Sequence, residues 1–260
     1  IEQTGNGLAP DMRINQKDPR DPCPDTKKPV AAHATSLSSA PGPERREMAY
    51  QDRRDAGRKL ADELSEYADR PDVIVLGLPR GGVPVAYEVG QALDAPLDIF
   101  TVRKLGVPER EELAMGAIAS GGVRILNEDV IRSMKISKSQ IDQVAEKEWE
   151  ELERREEAYR GDRSRPELED QIAILVDDGL ATGASMRAAV TALREYDPQR
   201  IVVAVPTAPA DTCAEFEDLV DDVICASTPS LFMGVGGSYR DFSQTTDEKV
   251  RHLLKKAWRS

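Results

Sequence analysis

In the stretch ILVDDGLATGAS, Ile174 to Ser185, an apolar run ends on two adjacent carboxylates, Asp177 and Asp178, and a turn of small residues follows almost at once. At the carboxyl end of a strand in a parallel α/β sheet, such a pair faces the crevice where ligands bind. Ala181, Thr182, Gly183, Ala184 and Ser185 then form a strand-to-helix turn. Its backbone N–H groups converge, and the helix dipole adds positive potential, so the turn suits a phosphate. Thr182 and Ser185 can add hydroxyl donors. A phosphate held there leaves the two carboxylates facing whatever carries it. A ribose fits, because its vicinal hydroxyls donate to carboxylates and its oxygens can share a Mg²⁺. Taken alone, the pair is equally compatible with a helix cap or a solvated turn.

A second strand end carries a loop of the same kind. VLGLPRGGVPVA closes an apolar run with Pro79, Arg80, Gly81 and Gly82. These supply a rigid turn, a guanidinium suited to bidentate phosphate binding, and two glycines that expose backbone amides. Two anion-binding loops at two strand ends imply a ligand phosphorylated at both ends of a sugar.

The elements that must position these loops are legible in the hydrophobic pattern. DVIVLGL, LDIFTV, QIAILV, RIVVAVP and DVICAS read as strands, and VPVAYEVGQAL, SMRAAVTALREY and ADTCAEFEDL as the helices between them. ELAMGAIASGGVRIL reads as two short strands joined at Gly121 and Gly122. SKSQIDQVAEKEWEELERREEAY is a long helix with a capping box at Ser137 and Gln140 and one apolar stripe of Ile141, Val144, Ala145, Trp149 and Leu152. A last helix is expected from Thr245, with Glu248 as its capping-box partner. Strands alternating with helices predict a mostly parallel sheet covered on both faces. Residues 1–47, rich in Pro, charge and small residues, are expected to form a disordered tail, and the folded domain to run from Met48 to Ser260.

Composition narrows the class. The chain of 260 residues has 35 basic and 47 acidic side chains and a net charge of −12, which repels nucleic-acid phosphates. Its Arg-rich runs, including Arg53-Arg54, are interleaved with acids, as on solvated helix faces. Cys23, Cys213 and Cys225 lack any CxxC pairing, which argues against a disulfide framework or zinc site and for a reducing cytosol. His33 and His252 stand near opposite ends in polar surroundings, so a His-centred triad is not expected. No apolar run approaches the roughly 20 residues of a membrane span, and no leader opens the chain. A cytoplasmic protein without nucleic-acid or membrane partners is the expectation.

ILVDDGLATGAS resembles the phosphoribosyl-pyrophosphate (PRPP) signature of the type I phosphoribosyltransferases, and GLPRGG is similar to their pyrophosphate loop. The order of elements from about Met48 to Ser260 follows the same family, and VRKLGVPEREELAMGAI and YRDFSQTTDEKV resemble segments of an uncharacterised branch of it. The resemblance implies a type I phosphoribosyltransferase-like α/β fold with a small C-terminal hood. It implies that Asp177 and Asp178 hold the ribose hydroxyls and Mg²⁺, that Ala181 to Ser185 hold the 5′-phosphate, and that Arg80, Gly81 and Gly82 hold pyrophosphate. Arg103 and Lys104 then begin a mobile lid, about residues 103–113, and residues 228–245 form the hood, where Phe232, Tyr239 and Phe242 could stack on a base. The implied activity is Mg²⁺-dependent transfer of a phosphoribosyl group from PRPP to a nitrogen acceptor, with Asp177, Asp178, Arg80 and Lys104 as the catalytic set. Ala181 departs from the acid that members selective for 6-oxopurines carry there and is more like adenine- and uracil-type members. A PRPP- or nucleotide-sensing regulatory protein without turnover is the alternative, and a homodimer is left open.

Overall fold

Five apolar runs build one sheet, its inner strands buried on both faces and its last, at the edge, half-buried. In the computed structural model, which describes residues 50–259, β1 (Val73–Gly77), β2 (Leu97–Ile99), β6 (Ile172–Val176), β7 (Arg200–Thr207) and β8 (Asp222–Ser227) pair in parallel in the order β2-β1-β6-β7-β8. The tail expected at residues 1–47 and the start expected at Met48 lie outside the described residues. Side chains alternate along each strand, so Val73, Val75, Ile172, Ile174 and Val202 pack with α1 (Arg53–Glu63), α2 (Gly82–Leu93) and α7 (Asp247–Ala257). Ile74, Leu76, Ala173, Leu175 and Val203 pack on the other face with α5 (Ala184–Arg194) and α6 (Ala210–Glu217). The chain places β2 on one side of β1 and returns with β6 on the other. The crevice between the carboxyl ends of β1 and β6 is therefore the topological switch point, where this architecture binds ligands.

A second sheet of three antiparallel strands, β3 (Val102–Val107), β4 (Arg110–Ala119) and β5 (Val123–Leu126), has its own core. Leu105, Val107, Met115 and Ile118 pack there with Ile141, Ala145 and Leu152 of α4 (Lys138–Arg160). The expected capping box is present: the Ser137 side chain accepts from the Gln140 backbone and the Gln140 side chain from the Ser137 backbone. Buried Arg160 anchors the far end of α4 to the main sheet, with its Nε 3.0 Å from Asp98 Oδ1 and its Nη2 donating to the Ile99 carbonyl. Glu156, also buried, pairs through one oxygen with Arg160 Nη1 at 3.2 Å and through the other with Arg165.

Several expectations are corrected. LDIFTV is not one strand: β2 ends at Ile99, and after Phe100 and Thr101 the chain enters the other sheet as β3. The lid expected as a loop at 103–113 is a β-hairpin of β3 and β4, irregular in register around Gly106, with Glu109 in the left-handed region at φ 66°. The short helix α3 (Glu128–Met134), capped by Asn127 through Val130 N, is not legible in the sequence: its apolar residues Val130, Ile131 and Met134 span little more than one turn and are only partly buried against the hairpin core. The last helix is capped by Thr246, which accepts from Lys249 N, while Thr245 turns inward and is buried. Cys213 and Cys225 are joined in a disulfide, with Cα atoms 6.7 Å apart. Their spacing hid this because α6 folds back onto the next strand, β8, bringing residues 12 apart in sequence face to face. The bond removes the ground on which cysteine usage pointed to a reducing cytosol. Among the described residues no helix is long and apolar enough to cross a membrane.

Candidate active site

The two loops singled out by residue type meet at the switch point. β1 and β6 run in register, Gly77 beside Val176, and Leu78 N extends the ladder by donating to the Val176 carbonyl at 2.9 Å. Beyond them the turn of Pro79 to Gly81, whose Pro79–Arg80 peptide is cis, enters α2 against Asp177 and Asp178. The approach is so close that a Cβ at Gly81 would lie 2.1 Å from Asp178 Oδ2, and one at Gly82 only 2.5 Å from the Val176 carbonyl oxygen. The glycines are thus required by what faces them, in addition to any amide they present.

Asp177 and Asp178 are both half-buried. Asp177 Oδ1 accepts from Asp178 N at 2.8 Å, and Asp178 Oδ2 accepts from Arg53 Nε at 2.7 Å. Burial raises the Asp177 carboxyl well above the usual carboxylate range, and the neighbouring Asp178 charge raises it further. Asp178 is also raised by burial, with Arg53 opposing the shift. Among the described residues no group of three or more His, Cys, Asp or Glu side chains could hold a metal. Two adjacent carboxylates nevertheless suit Mg²⁺, which commonly takes one or two protein carboxylates and fills its octahedron with water and substrate oxygens.

Following the acids, Gly183 holds φ 69° and precedes α5 without a side-chain cap, so the first-turn N–H groups have no partner from that source. A Cβ on Gly183 would meet Phe216 Cε2 at 2.7 Å. Ala181, Thr182, Ala184 and Ser185 are exposed around it, and Thr212 Oγ1 donates to the Ala181 carbonyl at 3.2 Å from α6. Arg80 is partly exposed and reaches 3.9 Å from Asp247 Oδ1 at the start of α7, where Tyr159 OH donates to the same oxygen at 2.5 Å.

Lys104 and Arg103 part company, as adjacent residues on a strand must. Lys104 lines a cavity of about 690 Å³ that also touches Ala184, Ser185 and Arg187, and its Nζ donates to the Glu112 carbonyl across the hairpin at 3.3 Å. Arg103 turns to α4 and donates to Glu148 from Nε at 2.6 Å. Its charge is engaged away from the acid pair.

The three hood aromatics also differ. Phe232 is half-buried. Tyr239 is 2% exposed, its ring lies between Tyr50 and Phe242 at centroid distances of 5.5 and 5.1 Å, and its OH donates to the Asp178 carbonyl at 2.5 Å. The structure leaves Tyr239 no face for a base and makes it a support of the acid loop. Phe242 is 38% exposed and lies over the Arg53 guanidinium, 3.9 Å from its carbon. Arg53 escaped the sequence reading because Arg54 beside it is the solvated cation expected of a helix face and pairs with Glu88. A signal was available: Arg53 is the first residue of α1, where the helix dipole disfavours a cation, so a specific acidic partner was called for.

With this geometry, the profile of the phosphoribosyl transferase domain matches residues 49–232. The chain belongs to the phosphoribosyl transferase family. Two Mycobacterium tuberculosis proteins, of strains CDC 1551 and H37Rv, provisionally named as phosphoribosyl transferases, are each 49% identical over 210 residues, which is 81% of this chain and 47% of theirs. The chain thus spans about half the length of these curated relatives. The crystal structure of TT1426 from Thermus thermophilus is 39% identical and superposes with a TM-score of 0.71, covering 80% of this chain and 98% of that one.

Proposed function

We propose that this protein transfers the phosphoribosyl group of PRPP to a nitrogen acceptor with Mg²⁺ and releases pyrophosphate. The observation that carries the reading is the meeting of two loops at the β1/β6 switch point, with Gly81 packed so closely on Asp178 that no side chain fits between them. Membership of the phosphoribosyl transferase family supports the same reading.

In the reaction the bond between the anomeric carbon and the pyrophosphate oxygen breaks, a bond from that carbon to the acceptor nitrogen forms, and the nitrogen's proton leaves to solvent. Asp177 and Asp178 accept hydrogen bonds from the ribose hydroxyls and tolerate positive charge developing on the ring. The same two carboxylates would hold Mg²⁺, whose charge would favour departure of pyrophosphate. The first turn of α5 holds the 5′-phosphate through backbone N–H groups and the hydroxyls of Thr182 and Ser185. Arg80, with the amides of Gly81 and Gly82, takes the pyrophosphate oxygens. Lys104 on the hairpin adds charge to the same groups when the lid is down, and the hairpin excludes water from the sugar cation.

The test is pyrophosphate release from PRPP and Mg²⁺ across a panel of purine and pyrimidine bases, run beside calorimetric titration of PRPP. Release with at least one base is expected. Tight PRPP binding with no release from any base would replace transfer by sensing, and no PRPP binding at all would remove the site.

A further inference from the structure

The hood is stitched to the start of α1. Tyr50 N donates to the Ser238 carbonyl at 3.0 Å, Arg240 N to the Tyr50 carbonyl at 2.9 Å, and Asp241 N to the Gln51 carbonyl at 2.9 Å. Two residues after this short ladder comes Arg53, whose side chain is 10% exposed. One guanidinium there makes three contacts to two different segments: Nε to Asp178 Oδ2 at 2.7 Å, Nη1 to the Ser243 carbonyl at 2.7 Å, and its face to the Phe242 ring at 3.9 Å. A second tie runs parallel to it, from Tyr239 OH to the Asp178 backbone.

We propose that Arg53 is a positioning residue that couples the acid pair to the hood, so that what binds Asp178 is felt at residues 240–243. The planar fork of a guanidinium is what permits this: one nitrogen addresses the carboxylate while another, fixed in the same plane, addresses the carbonyl. A ligand that draws on the charge of Asp178 weakens or strengthens its hold on Arg53. The same guanidinium carries the change to Ser243 and Phe242. That Asp178 faces substrate rests on the function proposed above; the coupling itself does not need substrate to be observed.

A double-mutant cycle read by hydrogen exchange tests it. The readout is exchange at the Arg240 and Asp241 amides in the parent, Arg53→Gln, Asp178→Asn and the double variant, without ligand. The amide of Ala56, bonded to the Asp52 carbonyl inside α1, reports whether the helix itself has loosened. Each single change is expected to speed exchange at Arg240 and Asp241 about tenfold or more, as for loss of a charge-assisted hydrogen bond. The double variant is expected to go no further than the faster single. Arg53→Lys keeps the charge without the fork, and is expected to restore protection only in part. Additive effects in the double variant, or unchanged exchange at both amides in Arg53→Gln, would overturn the coupling. Full restoration by Arg53→Lys would overturn the fork, reducing Arg53 to a bulk charge. Adding Mg²⁺ and PRPP to the parent separates the two ideas: failure of PRPP to bind removes the substrate site, while the ligand-free cycle still decides the coupling.

Discussion

Asp177 and Asp178 are held in conditions that disfavour their charge, and this makes their substitution informative in two directions. Asp177→Asn keeps the acceptor that Asp178 N uses and mimics the protonated acid. Because the folded carboxyl is raised above its unfolded value, the folded protein binds more protons, and the unliganded protein loses stability as pH climbs from near 4 through the raised value. The two acids titrate as a pair. Unliganded Asp177→Asn is therefore expected to melt above the parent at about pH 8, by a margin that narrows as pH falls through the raised value and closes near about pH 4. A thermal scan at several pH values checks this; a gap that widens toward acid would reverse the sign. Asp178→Asn should gain less, since it gives up the Arg53 ion pair. Both variants are expected to lose most PRPP-dependent turnover, about ten- to a hundredfold for each charged hydrogen bond weakened, measured by pyrophosphate release. Gly183→Val is expected to fail in another way: it meets Phe216 and forces a β-branched residue into the left-handed region, so the melting point falls together with PRPP affinity.

The hairpin of β3 and β4 is the element whose role most needs measurement. Lys104→Ala is expected to lower kcat more than it weakens PRPP binding, because a group that arrives with a closing lid acts more on the transition state than on the ground state. Equal losses in binding and in saturated rate would place Lys104 in the ground-state site. Removing the anchor of the hairpin sheet is a separate matter. Arg160→Met leaves Asp98 without its ion-pair partner in a buried site, while Glu156 keeps Arg165, and a loss of about 3–5 kcal/mol is expected by denaturant unfolding, as when one partner of a buried ion pair is deleted. These elements were unequally legible in the sequence. The five central strands and α4 announced themselves by unbroken apolar runs and a capping box. The break between Ile99 and Val102 did not, because an apolar run looks the same whether it stays in one sheet or crosses to another. The inward turn of Thr245 and the pairing of Cys213 with Cys225 likewise depend on where a neighbouring element lies.

At the scale of the molecule, both loops that carry the candidate site were found from local sequence, since each is a strand end followed at once by a helix. The third contributor was hidden because it comes from far away. Arg53 lies 125 residues from Asp178 and 190 from Ser243, and no periodicity reports such a partner. That distance also sets a schedule for folding. The parallel sheet can begin from nearer pairings, but the seam between residues 50–53 and 238–243 closes a loop of nearly the whole domain, at an entropic cost that must be met before its contacts stabilise it. During synthesis the hood leaves the ribosome after both strand-end loops, so a nascent chain halted before Ser238 carries the two acids without the seam that holds Arg53 on Asp178. In refolding from denaturant, recovery of PRPP binding is expected to lag behind recovery of helical circular dichroism, and competence to bind substrate becomes a mark that the hood has docked.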